Sequence, residues 1–135
     1  MYKFLQKNKT LFVYFPLFIY WLILFAATTL PGKDVPNLGV SDKIEHSVAY
    51  MVLSILLCFT YTFQNKVKLL FYRPFLMTIL TITLYGALDE LHQKFIPGRS
   101  CDIKDLMADI TGATIGLIVV FLIKLLNKKE ANSAF

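Results

Sequence analysis

Residues 11–30 read LFVYFPLFIYWLILFAATTL and carry no charged side chain. At about 1.5 Å of rise per residue, some 20 residues of helix cover the roughly 30 Å hydrocarbon core of a bilayer. Three lysines, Lys3, Lys7 and Lys9, precede the run. A cleaved export signal is the competing reading of such an arrangement. The run is longer than the ~7–15 apolar residues of a signal core, and Ala26-Ala27 is followed by no clear cleavage pattern, so a retained span is expected. Pro16, near its start, is expected to kink it mildly.

Three further blocks repeat the pattern. Pro31-Gly32 closes the first, and a turn-rich loop runs to about Val40. The second block, about 44–63, holds Glu45 and His46 only at its entry. A short basic segment with Lys66, Lys68 and Arg73 leads to Pro74, which suits a first helical turn, where its missing N–H is not needed. The third block, about 75–93, is apolar until Asp89, Glu90 and His92, and the fourth, about 105–123, contains a single inner charge, Asp109. The reading is an all-α integral membrane bundle of four transmembrane helices, a single domain over 1–135. Hydrophobic residues make up 56% of the chain, well above an ordinary soluble share, and they are gathered in these blocks.

The net charge of +5 raises the question of nucleic acid. The positions of the basic residues answer it. Lys3, Lys7, Lys9, Lys66, Lys68, Arg73, Lys124, Lys128 and Lys129 fall on one side of the four spans; Lys33, Lys43, Lys94, Arg99 and Lys104 fall on the other. The positive-inside bias then puts both termini in the cytoplasm, and no nucleic-acid partner is expected. Every acidic residue except Glu130 lies at the opposite, outer ends of the helices or in the outer loops. Cys58 sits mid-block and Cys101 in a polar loop, so no disulfide is expected between them.

Helical spacing sorts the outer polar residues into stripes. Asp42, His46, Tyr50 and Ser54 recur every four residues, with Glu45 beside them. Tyr85, Asp89 and Gln93 form a second row, and Gly86, Glu90 and Gln93 adjoin it. Asp102, Asp105, Asp109, Gly112 and Gly116 form a third, which passes from carboxylates to glycines with depth. Glycines at that spacing admit a close neighbour, so the stripe faces protein and is internal packing. The stripes are expected to converge just under the outer surface. Capping of the fourth helix accounts for Asp102 and is a weaker account of Asp105. It does not reach Asp109, nor Asp89 and Glu90 at a helix C-terminus, where the dipole is unfavourable. These acids call for cations, with Arg99 the first candidate for its planar fork, then Lys43 and Lys104. A purely structural ion-pair network is the bland alternative. His46, Asp89, Glu90, His92 and Asp109 are chemically able to bind a metal, but their spacing matches no metal motif; neither metal nor cofactor is expected.

The composite of Asp42-Lys43-x-x-His46-x-x-x-Tyr50, Asp89-Glu90-Leu91-His92-Gln93-x-Phe95-Ile96-Pro97-Gly98-Arg99-Ser100 and Asp102-x-x-Asp105-x-x-Ala108-Asp109-x-x-Gly112-x-x-x-Gly116 resembles the VanZ-like family. The motifs span 42–116 in order. The resemblance implies a small multi-pass protein of the bacterial inner membrane, in a family whose founding member is linked to teicoplanin resistance. Many relatives have Asn where this chain has Asp109, which adds a negative charge. The expected binding residues are Asp42, Lys43, His46, Tyr50, Asp89, Glu90, Gln93, Arg99, Asp105 and Asp109, holding a lipid head group or a lipid-linked or peptidoglycan-related ligand. As an intramembrane enzyme the same cluster offers Asp89, Glu90 and His46 for proton transfer, with Arg99 as a charge clamp. No nucleophile motif or phosphate loop accompanies them. The inner halves of the helices offer no polar path for a transporter.

Overall fold

The structure is a computed structural model that describes residues 2–35 and 39–133, with side chains described for 4–35 and 39–127. The side chains of Lys3, Lys128, Lys129 and Glu130, which enter the charge argument, therefore lie outside the described set, as do residues 36–38 between the first two spans. The described residues form helices α1 (Tyr2–Lys7), α2 (Phe15–Thr29), α3 (Asp42–Phe63), α4 (Lys68–Tyr72), α5 (Pro74–Gln93) and α6 (Ile103–Ser133). Among the described residues four stretches are long and apolar enough to cross a bilayer: Thr10–Thr29, Asp42–Phe63, Pro74–Gln93 and Ile103–Asn127. The first three agree with the expected spans to within two residues. The last helix runs well past Ile123, because Lys124 to Ser133 contains no glycine or proline to stop it.

Pro16 is accommodated by a π-helical turn, Thr10–Tyr14, immediately before α2, in which the Phe15 amide reaches back to the Thr10 carbonyl. A proline ring crowds the carbonyl four residues earlier, and a widened turn relieves that contact. Pro74 opens α5 at its first turn, as its missing donor allows.

Helix α3 lies at the centre, against α6 along most of its length and against α5 and α2 on its other sides. The fully buried core runs through Leu53, Leu57, Ile82, Ala113 and Val120, with Tyr50 above them. The α3–α6 approach is set by glycine. A Cβ at Gly112 would meet the Ser47 backbone, and one at Gly116 would meet the Ser54 hydroxyl and the Met51 carbonyl. The outward faces carry Phe18, Leu22, Phe25, Leu84, Leu88, Phe121 and Leu122, all about half exposed or more. So wide an apolar surface suits hydrocarbon.

At the end of the bundle that carries the chain termini, Lys9 donates to the Phe63 carbonyl at 3.5 Å, a favourable charge at the C-terminus of α3. Lys124 donates to Thr62 and lies 4.9 Å over the Phe75 ring. At the other end the two Pro-Gly turns, whose sequences look alike, touch each other: the Gly32 amide donates to the Pro97 carbonyl at 2.9 Å. They are not equivalent. Gly98 sits at φ +77°, while Gly32 starts a 3₁₀ turn, Gly32–Asp34.

Candidate functional site

At the turn end, α3, α5 and α6 bring their polar stripes together. Asp89, Glu90, Gln93, Asp105 and Asp109 are each at most 5% exposed. Burying four carboxylic acids and an amide in an apolar bundle is costly unless each is compensated, so their partners matter.

Lys43, from the first turn of α3, reaches across to the start of α6. It pairs with Asp105, with Asp102 at 3.1 Å and with Asp42 at 3.6 Å. Asp102 is the N-cap of α6, accepting the Lys104 amide at 2.9 Å as capping predicts. That amide and the Lys43 ammonium hold the Asp102 carboxyl below the usual carboxylate range. Asp105 is fixed by Lys43 rather than acting as a cap.

Beneath this pair, His46 Nδ1 lies 2.9 Å from Asp109 Oδ1, joining α3 to α6. Its Nε2 is 3.9 Å from the exposed Asp42. Glu90 accepts the Asp102 amide at 2.9 Å through Oε2, which ties the end of α5 to the start of α6. Asp89 accepts Gln93 Nε2 at 3.2 Å. Among the described residues, three buried oxygens of this region have no hydrogen-bond partner: Tyr50 OH, Glu90 Oε1 and Asp109 Oδ2.

The expected partner of these acids is elsewhere. Arg99 donates from Nε to the Leu30 carbonyl at 3.3 Å and from Nη2 to the Ala27 carbonyl at 3.1 Å. It thus caps the C-terminus of α2, where free carbonyls and the negative dipole end attract a cation. Among the described residues no lysine or arginine lies within 4.0 Å of Asp89, Glu90 or Asp109. Lys104 contributes its backbone amide and no ion pair. His92 turns away toward α2, stacking on Phe25 at 5.8 Å, with Nε2 3.4 Å from the Thr29 hydroxyl.

Beside the cluster, between α2 and α3, lies a cavity of about 570 Å³. Its walls are mostly apolar, from Tyr20, Leu24, Ala27, Val48 and Ala49 among others, and its polar end holds Asp42, Glu45, His46, Asp89, Gln93 and Arg99. The wall supplied by α2 was not foreseen from sequence. Its one hint is Tyr20, a polar tip in mid-span, which donates to the Ala49 carbonyl at 2.9 Å across the cavity. Tyr50 lines the cavity as well and lies 6.1 Å from Tyr85. Among the described residues two groups have metal-binding atoms mutually within 4.8 Å: Asp42, His46 and Asp105, and His46, Glu90 and Asp109.

Comparison with known proteins agrees with this architecture. No curated protein and no solved structure matches the chain. The family model described as VanZ/LLP1 matches residues 8–124, from just before the first span almost to the end of the fourth. That stretch holds the first three spans, most of the fourth and every residue of the polar cluster, and the chain therefore belongs to the VanZ/LLP1 family.

Proposed function

We propose that this protein binds an amphiphilic component of the bacterial cell envelope, with its head group on the polar cluster and its apolar part between α2 and α3. The observation that supports this reading is the cavity, which is apolar along its walls and polar at one end. Ligand sites combine apolar walls with a few polar groups that set orientation, and this one opens beside a hydrocarbon-facing surface. Arg99, which lines the polar end of the cavity, offers a cationic edge to a phosphate or carboxylate head group. The family resemblance adds an influence on teicoplanin susceptibility to this proposal, through an envelope ligand such as a lipid-linked or peptidoglycan-related precursor.

A second reading, an intramembrane enzyme acting on such a ligand, is favoured by one contact. Asp109 holds His46 at Nδ1, the arrangement that orients an imidazole for proton transfer. One experiment separates the two. Purified protein in nanodiscs is incubated with photoactivatable phospholipids and lipid-linked precursors, and both adducts and products are read by mass spectrometry. Adducts on peptides carrying Tyr20, Val48 or Ala49 without turnover support the binder, and new products support the enzyme. Adducts confined to outward faces such as that of Leu84 and Leu88 would sink both.

The proposal also places both termini in the cytoplasm and the cavity's polar end near the outer surface, on the distribution of lysine and arginine. Reporter fusions at Arg73 and after Pro31 are expected to read inside and outside respectively. The opposite pattern would put the ligand site on the cytoplasmic face.

A further inference from the structure

We propose that His46, Glu90 and Asp109 form a binding site for one divalent transition-metal cation, held among α3, α5 and α6. The spacing along the chain matches no metal motif, because each ligand comes from a different helix. The fold brings one ligand atom of each within 4.8 Å of the others. This site stands whether or not the neighbouring cavity takes a lipid.

Three observations carry the assignment. The first is the orphaned oxygens. Glu90 is 4% exposed and Asp109 is fully buried, and each keeps a carboxylate oxygen, Oε1 and Oδ2, with no hydrogen-bond partner. A buried acceptor left unmade costs free energy that a bound cation recovers.

The second is charge. Lys43 is committed to Asp42, Asp102 and Asp105, and Arg99 to two backbone carbonyls. Of the three buried carboxylates left without a lysine or arginine, Asp89, Glu90 and Asp109, the last two share a site with one imidazole. A dication with a neutral imidazole balances them, whereas a protonated imidazole balances only one. The same accounting disfavours the other candidate group, where Lys43 already neutralises Asp105 and Asp42 is exposed.

The third is geometry and donor chemistry. Two ligands each about 2.1 Å from an ion lie about 3.0 Å apart at the right angles of an octahedral shell and about 3.4 Å apart in a tetrahedral one. His46 Nδ1 and Asp109 Oδ1 are 2.9 Å apart, so an ion that displaces the proton they share can bind the imidazole and take the carboxylate through both oxygens, the orphaned Oδ2 included. One imidazole nitrogen with two carboxylates suits Zn²⁺, Mn²⁺ or Fe²⁺ better than Mg²⁺, which favours an all-oxygen shell. His46 also lines the cavity, which leaves that side of the ion open to water or a ligand group.

The test uses full-length protein purified in detergent, stripped with a chelator and dialysed separately against Zn²⁺ and Mn²⁺. Mass-spectrometric metal analysis should find about one ion per chain. His46→Gln, Glu90→Gln and Asp109→Asn should each weaken binding at least about tenfold, and Asp34→Asn should not. Pulsed electron paramagnetic resonance on the Mn²⁺-loaded wild type, which needs no variant to fold, should show coupling to one imidazole nitrogen. The proposal is overturned if the wild type retains no metal, if no nitrogen coupling is seen, or if Asp42→Asn abolishes binding while Glu90→Gln leaves it intact.

Discussion

Gly112→Ala is expected to destabilise the bundle by about 2–3 kcal/mol, and Gly112→Val to prevent stable folding. The reason is the α3–α6 contact. A methyl group at residue 112 would fall on the backbone of Ser47, and helix backbone cannot step aside as a side-chain tip can. The two helices would have to separate along their length. That would loosen the packing around fully buried Ala113 and Val120 and pull Asp109 from His46 one turn above. In a membrane no hydrophobic force recloses such a gap, because lipid tails solvate the exposed faces as well as protein does. Gly116→Ala should cost less, since one of its two obstacles is the Ser54 hydroxyl, which can rotate. Ala87→Val, on an exposed face of α5, serves as the control and should change little. Unfolding in mixed micelles, followed by tryptophan fluorescence of Trp21, reads all four variants. Equal stability of Gly112→Val and the control would refute the close-packed α3–α6 interface.

Filling the cavity is expected to weaken amphiphile binding at least about tenfold, or about 1.4 kcal/mol, without a matching loss of stability. Val48→Trp and Ala27→Trp do this from opposite walls. Both residues line the cavity, and both are exposed, so a larger side chain grows into open space and leaves the core alone. Neither substitution removes a polar group of the cluster. The Ala27 carbonyl that receives Arg99 belongs to the backbone and survives the change. Leu84→Trp adds the same indole to a face 64% exposed and away from the cavity, and should leave binding intact. The readout is the yield of photo-crosslinked phospholipid, normalised to folded protein. If all three variants crosslink like the wild type, the amphiphile does not occupy the space between α2 and α3.

Much of the architecture was legible in the residues alone. Length and apolarity marked four spans, and the structure shifts most of their ends by only a residue or two. Where it does not, as after Ile123, the cause is local: no residue there breaks a helix. The three polar stripes were legible too, because a period of 3.6 fixes which residues share a face. Gly112 and Gly116 were read as an internal packing surface, and that is where α3 lies.

Arg99 shows where that kind of reading stops. Its type and depth pointed to the carboxylates of α5 and α6, yet it binds two carbonyls of α2. Nothing in the sequence said that the two Pro-Gly turns would touch through Gly32 and Pro97 and bring the end of α2 within its reach. The same holds for the contact of His46 with Asp109 and for the α2 wall of the cavity.

Residue type and periodicity determined depth, face and the polarity of the bundle, because each depends on the local chain and its solvent. Tertiary structure alone decided which faces meet and which acid keeps an unpaired oxygen. Those outcomes depend on how closely two distant helices approach, and here that distance is set by glycines packed against another helix's backbone.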